Sequence, residues 1–217
     1  GKNPRVINIP TIRDKMVLAV LNDCFNYIYD KNNCSKLPQL IIDNIKNAID
    51  SQQYNYFIKY DIQSFYASIN HDILIKKLKY KIRSASFLNI ILNAIENDGI
   101  VFPIKKTTKR TIRDVGIPEG LSISNSLANI YLMALDKKIS EISGIKYYRY
   151  VDDILILCNL EEKEKINLLV RKELCKKLKL ELNKKCDEGC INENAFEYLG
   201  YHFEKDKLSV RKSSRYK

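Results

Sequence analysis

Three aspartates carry the chemistry this sequence offers. Asp152 and Asp153 stand side by side in Tyr147 to Cys158 (YYRYVDDILILC), and Asp61 interrupts the apolar and aromatic run YFIKYDI. Each alone has an ordinary reading, Asp-Asp as an exposed turn and Asp61 as a strand end facing water. Brought together, the carboxylates would repel one another unless a cation lay between them. Oxygen-only donor sets suit hard divalent ions, Mg²⁺ or Mn²⁺, and ligands fixed on a hairpin are held more tightly than ligands on a free loop.

Strands must do the positioning. The runs on either side of the aspartate pair, YYRYV and ILILC, are rich in strand formers, so the stretch reads as a β-hairpin with Asp152-Asp153 as its turn. Arms so continuously apolar belong in the middle of a covered sheet. Tyr56 to Ile62 reads as a further strand, and it delivers Asp61.

The remainder supplies scaffold. Val6 to Ile9 reads as a short strand ended by Pro10, and Thr11 stands three residues before Asp14, a capping-box-like start to a helix with Val17, Val20, Leu21, Cys24 and Ile28 at helical spacing. Ser35 is placed to cap a second helix reaching Asp50, with Leu37, Leu40, Ile41, Ile45, Ala48 and Ile49 as its buried face. Helices are predicted over about 72–83 and 87–97, followed by a hairpin of IVFPI and RTIRDV with a basic tip at Lys105, Lys106, Lys109 and Arg110. GIPEGLSIS then leads into an apolar helix capped by Ser122 or Ser124, and Gly116 and Gly120 leave room for a substrate near the backbone. After the aspartate hairpin, 161–179 reads as an amphipathic helix, LELNKKC as a short strand and turn, and FEYLGYHFE with KLSVRK as a closing hairpin.

Composition bounds the function classes. The chain has 217 residues, 45% hydrophobic and 29% charged, enough for a sizeable core. Its net charge of +11 points to a polyanionic partner, with a solvated lysine-rich surface as the plain alternative. Six cysteines without Cys-x-x-Cys spacing and two histidines argue against structural zinc and for reduced thiols in a cytoplasmic protein. No apolar run reaches membrane-spanning length, and GKNPRV has no signal-peptide core. Gly1 is not an initiator methionine, so the expectation is a piece of a longer protein.

The order of the motifs resembles that of reverse transcriptases. IPTIRDK, DIQSFYASINHDIL, GIPEGLSISNSLANIYL, YVDD and FEYLGY are collinear from about Arg5 onward, and the resemblance is to the bacterial group of intron, retron and antiviral-defence enzymes. It implies an α+β fold: a polymerase palm with a small antiparallel sheet backed by helices, plus partial fingers, the thumb absent. One domain over 1–217 would divide into partial fingers at about 1–55, palm motif A at 56–80, a fingers/palm insertion at 81–115 and palm motifs B to E at 116–217. The activity implied is RNA-directed DNA polymerisation, in which dNTPs add to a primer by the two-metal scheme.

The same resemblance assigns roles. Asp61 and Asp152 would bridge two Mg²⁺ ions, with Mn²⁺ as the alternative; Asp153 would complete the acidic cluster and the Ile62 carbonyl would add a ligand. Lys185 stands at the motif-D lysine that protonates pyrophosphate, with Lys184 as the alternative because the segment is one residue short. Arg5 and Lys2 would meet the triphosphate, and Gly120 lies in the motif-B loop near the nucleotide. Tyr66 would be the aromatic gate against a 2′-hydroxyl and Phe65 its core-facing neighbour, while Tyr198, Leu199 and Gly200 would form the primer grip. The partners implied are an RNA template, a DNA or RNA primer and dNTPs, with no membrane.

Two departures stand out. Glu119 occupies the motif-B position where the family has Gln, which bears on nucleotide choice. The stretches typical of intron and retron enzymes are missing, which by subtraction puts the chain with the abortive-infection and antiphage-defence group. An intron or retron enzyme, or a catalytically silent nucleic-acid-binding scaffold, are the alternatives. A chain without a thumb should be poorly processive or inactive by itself.

Overall fold

The computed structural model describes residues 7–29, 37–96, 114–183, 186–205 and 207–211. In chain order its elements begin with helices α1 (Ile12–Ile28) and α2 (Pro38–Asp50) and strand β1 (Tyr56–Asp61). Helices α3 (Phe65–Ser68), α4 (His71–Lys79), α5 (Ala85–Glu96) and α6 (Ser124–Ser140) follow. Strands β2 (Lys146–Tyr150) and β3 (Asp153–Cys158), helix α7 (Lys163–Arg171), and strands β4 (Asp187–Cys190), β5 (Phe196–Tyr198), β6 (Tyr201–Glu204) and β7 (Lys207–Val210) complete the chain. This is the expected α+β class. All but the last two residues of the predicted hairpin, including its tip at Lys105, Lys106, Lys109 and Arg110, lie outside the described residues, as do Lys2, Arg5, Lys184 and Lys185. No described helix is long and apolar enough to cross a membrane.

Residues 1–34 with 64–132 form one compact unit and 35–63 with 133–217 another, the division falling inside α6. In the first unit Thr11 caps α1 as its spacing predicts: its hydroxyl accepts from the Asp14 N–H at 3.3 Å and donates to the Asp14 carboxylate at 2.7 Å. The buried face is Leu18, Leu21 and Phe25, however, and Val17 and Val20 are exposed. Two apolar stripes run along this helix, and the one with the larger side chains removes more area from water. Ile7 to Pro10 is not a strand; the Asn8 N–H donates to the Glu119 carbonyl at 2.8 Å, and Pro10 has no N–H with which to extend a ladder. Asn70 caps α4 by accepting from the Ile73 N–H at 3.1 Å, and the helix ends at Lys79, short of the predicted 83. Ser124 is the first residue of α6, and its hydroxyl donates to the Pro118 carbonyl at 2.6 Å.

The second unit is built on an antiparallel sheet of order β2-β3-β1-β4. Ile58, Ile154, Leu155, Ile156 and Leu157 in its two central strands have no exposed surface, as continuously apolar arms require. Each such side chain stabilises the fold by roughly 1.5–3 kcal/mol relative to exposure, so a handful outweighs any repulsion at the acidic end of the sheet. Helix α2 packs Ile41, Ile42 and Ile45 into a core with Phe57, Leu157 and Phe196. Leu37 and Leu40, predicted buried, are exposed, and Pro38 starts this helix without a side-chain cap. The C-terminal strands form a three-stranded meander, β5-β6-β7, in place of a simple hairpin, with Phe196 stacked on Phe203 at 4.9 Å between centroids.

Two elements run against their local sequence. Strand β4 is Asp-Glu-Gly-Cys, a composition poor in strand formers, and it exists by pairing with β1 from Tyr56↔Cys190 to Lys59↔Asp187. The predicted single helix over 161–179 is a short 3₁₀ turn at Leu160–Glu162, then α7, then a π-helical turn at Lys172–Lys177. That π turn buries Glu173, whose Oε1 accepts from the Lys138 and Lys177 ammonium groups at 2.8 Å each.

Candidate active site

The register of the second unit's sheet decides where the acids stand. Tyr150 pairs with Asp153 across β2 and β3, so the hairpin turn is Val151-Asp152 and Asp153 is the first residue of β3. The expected turn is therefore displaced by one residue. A two-residue hairpin loop needs left-handed backbone, and Val151 supplies it at φ +56°. For a β-branched residue this is an outlier costing on the order of 1–3 kcal/mol.

The β1–β3 ladder sets Asp61 opposite Asp153, and Asp152 precedes Asp153 in the turn, so all three carboxylates gather at one end of the sheet. Like charges directly opposite are destabilising. Burial, then the charge of Asp152, pushes the Asp153 carboxyl above its ordinary range; Asp61 adds to this and Lys59 opposes it. Asp61 is exposed at the strand end, where its Oδ2 accepts from the Asn183 side-chain amide at 2.7 Å. The Asn183 N–H also donates to the Asp61 carbonyl at 2.9 Å, and the Gln63 N–H to the Glu181 carbonyl at 2.8 Å, closing an antiparallel bridge between Ile62 and Leu182. The Ile62 side chain is buried, and its carbonyl takes part in neither of these bonds.

These residues fit a hard cation. The donors are all oxygen, two of them face each other in register, and the third is close enough to raise Asp153. Among the described residues no three His, Cys, Asp or Glu side chains already converge on a single metal position. Like charges set opposite each other in register are the arrangement a cation between them would relieve.

Behind the turn lies a second polar group that the sequence reading missed. Arg149 donates from Nε to Asp136 Oδ1 at 2.7 Å and from NH2 to Asp136 Oδ2 at 2.6 Å, and from NH1 to the Val151 carbonyl at 3.0 Å. The Tyr147 hydroxyl donates to Asp136 Oδ1 at 2.6 Å, and burial followed by the Asp136 charge pushes its pKa well up. The available signal was alternation: Tyr147 and Arg149 are two apart on β2, on one face, and a cation inside an apolar strand needs a counter-ion.

The primer-grip candidates lie at the β5–β6 turn. Tyr198 is 1% exposed and its hydroxyl donates to the Asp153 carbonyl at 3.0 Å, so its ring is used inside the protein as a strut under the acidic hairpin. Leu199 and Gly200 form the turn itself with φ +48° and +82°.

Phe65, Tyr66 and Gly120 belong to the first unit. Phe65 is buried, as expected, with the half-buried Tyr66 ring 5.7 Å away. The Tyr66 carbonyl accepts from the Ile117 N–H at 2.8 Å, and His71 Nε2 lies 2.6 Å from the Gly116 carbonyl. At Gly116 and Gly120, where the sequence leaves room near the backbone, the chain's own backbone already comes close. A Cβ at Gly120 would stand 2.6 Å from the Asn8 carbonyl oxygen, and one at Gly116 3.1 Å from that of Ala67. Both also have positive φ, so glycine is required twice over. Beside Gly120 is an open cavity of about 380 Å³ lined by Pro10, Lys15, Leu18, Leu121 and Ser122.

Residues 1–203 match the reverse transcriptase (RNA-dependent DNA polymerase) family. The chain belongs to that family. Its sequence relatives include a 91 kDa protein in the cob intron of Schizosaccharomyces pombe, 32% identical over 157 residues, covering 66% of this chain and 18% of that protein. A COX1/OXI3 intron 1 protein of Saccharomyces cerevisiae is 26% identical over 145 residues, covering 63% of this chain and 17% of its own length. The reverse transcriptase chain thus spans less than a fifth of these relatives. Among solved structures, apo telomerase from Candida tropicalis superposes with a TM-score of 0.67 at 14% identity, over 94% of this chain and 41% of that one. Telomerase from Candida albicans in complex with a fragment of telomeric RNA gives 0.66 at 14% identity, over 91% and 37%. At such identity the likeness is one of fold.

Proposed function

We propose that the chain is the catalytic part of an RNA-directed DNA polymerase, adding dNTPs to a DNA or RNA primer on an RNA template. The observation that carries this reading is the register that sets Asp61 opposite Asp153 with Asp152 in the adjoining turn, in a chain of the reverse transcriptase family. Asp61, Asp152 and Asp153, with the Ile62 carbonyl, would hold two Mg²⁺ or Mn²⁺ ions; such ions lower the pKa of the attacking hydroxyl and neutralise charge on the leaving pyrophosphate. The protein's own part is to keep three acids together against their repulsion. Burial and neighbouring charge push the Asp153 carboxyl above its ordinary range, and a cation between the aspartates would oppose that shift.

Other roles follow from motif order alone. Arg5 and Lys2 would bind the triphosphate, Lys185 or Lys184 would donate a proton to pyrophosphate, and Tyr66 would exclude a 2′-hydroxyl by a steric clash. Because Tyr198 is turned inward, contact with a primer from the β5–β6 turn falls to Leu199 and Gly200. The names of the relatives favour an intron-associated setting, whereas antiphage defence rests on motifs that are missing.

The test is primer extension by the full-length protein on an RNA template with dNTPs and with NTPs. Extension that requires Asp61 and a divalent ion supports the reading; unchanged extension by a folded Asp61→Ala variant refutes the site. Tyr66→Ala should admit NTPs more readily, and unaltered discrimination would dismiss it as the gate.

A further inference from the structure

The conformation of Val151 does not sustain itself. A valine disfavours left-handed backbone that glycine or asparagine would enter readily, so something outside the residue holds it at φ +56°. The Val151 carbonyl is part of the peptide that joins Val151 to Asp152, so whatever fixes that carbonyl fixes the plane from which Asp152 leaves the backbone. Arg149 NH1 donates to it at 3.0 Å.

The guanidinium is itself immobilised. Its Nε and NH2 engage both oxygens of Asp136 at 2.7 and 2.6 Å, a fork-to-fork pairing that sets orientation as well as distance. Tyr147 adds a third donor to Asp136 at 2.6 Å, and the Arg149 side chain is 9% exposed. A charge bound in this way to its own counter-ion is poorly placed to neutralise the acidic site. The cation that acts on Asp153 is Lys59.

We propose that Arg149 is a positioning residue for the acidic site: clamped by Asp136, it holds the left-handed Val151 turn and so the direction of Asp152. The inference rests on the polymerase reading of those aspartates. Lysine cannot substitute, since a single ammonium cannot pair with both Asp136 oxygens and reach the turn carbonyl in one fixed plane.

The experiment uses the full-length protein and the variant Arg149→Lys. Thermal melting across a Mg²⁺ titration should show the half-saturating concentration raised by about tenfold or more. Amide hydrogen exchange of the metal-free protein should speed up at Val151 to Asp153. Primer extension should show reduced turnover at saturating dNTP with KM for dNTP little changed. Adding Val151→Gly to Arg149→Lys should bring the metal response back toward wild type, because glycine enters the turn unaided. A lower melting temperature with metal response, exchange and turnover all unmoved would reduce Arg149 to a fold-stabilising ion pair and overturn the proposal. If Arg149→Lys does not fold, Tyr147→Phe keeps the ion pair and loosens only Asp136; a rise of about two- to fivefold in half-saturating metal supports the proposal and no rise overturns it. Metal binding weakened by Arg149→Lys in a protein that extends no primer would refute the polymerase reading alone. Extension that is robust and indifferent to Arg149→Lys would refute this inference alone.

Discussion

Two sets of acids in the same unit are handled in opposite ways. Asp61, Asp152 and Asp153 are brought to one end of the sheet, and burial, followed by the charge of Asp152, pushes the Asp153 carboxyl up. Asp136 and Glu173 each stand between two donor side chains, Arg149 with Tyr147 and Lys138 with Lys177. Burial works to raise Glu173 too, yet the hydrogen bonds from its lysines outweigh it and hold the carboxyl below its ordinary range. The fold thus places two donor side chains on each of these structural acids, and sets like charges in register where Asp61 meets Asp153. Like charges in register oppose stability, and the proposed metal site gives that arrangement a use.

The contrast can be broken or sharpened by substitution. The largest effect is expected at Asp152→Asn: nucleotide addition should drop below detection while the metal-free melting temperature holds or rises, because one repulsive charge is gone. A calorimetric melt alongside primer extension checks both halves, and a clear loss of stability would place Asp152 among the structural acids. Next comes Asp136→Ala, which strands Arg149 without its counter-ion and should cost about 3–5 kcal/mol in urea unfolding. A near-neutral result would mean that the paired acids are dispensable and the contrast false.

Smaller effects test the signs. Glu173→Gln should cost only about 1 kcal/mol, since its lysines are half-exposed and screened. The Glu173 carboxyl is lowered, so its contribution is fully present above the ordinary carboxylate range and is lost as pH falls through the lowered value; the variant should flatten that acid limb. Asp153 has the opposite sign. With its carboxyl raised, the metal-free protein should lose stability as pH climbs from the ordinary carboxylate range through the raised value, and Asp153→Asn should erase this smallest of the slopes. Parallel melts from pH 3 to 8 decide between the two; acid limbs of equal sign would contradict the comparison.

Much of this was legible in the residues. The central strands announce themselves by runs such as ILILC and YFIKY, and Asp61, Asp152 and Asp153 stand out because carboxylates are costly inside such runs. Thr11 and Asp14 mark the start of α1 by local chemistry that needs no tertiary context. What stayed hidden depends on partners distant in sequence. β4 is a strand only because β1 offers an edge, α1 buries the stripe that its neighbours select, and Asn183 becomes relevant through a bond to Asp61. The one-residue shift of the turn escaped because a valine at positive φ is the less probable choice by intrinsic preference, and Arg149 with Asp136 overrides that preference.

The sheet order has a consequence for synthesis on the ribosome. β1 has no neighbour close to it in sequence: β3 joins it roughly a hundred residues later, and β4 later still. At about 5–20 residues per second, the strand bearing Asp61 must wait roughly 5–20 seconds after emerging before its first partner is available. During that interval Phe57, Ile58 and Tyr60 are exposed in a nascent chain, and they are the kind of segment that holdase chaperones bind. Yield during expression should therefore respond to translation speed between β1 and β3 more than to changes at the catalytic end of the sheet.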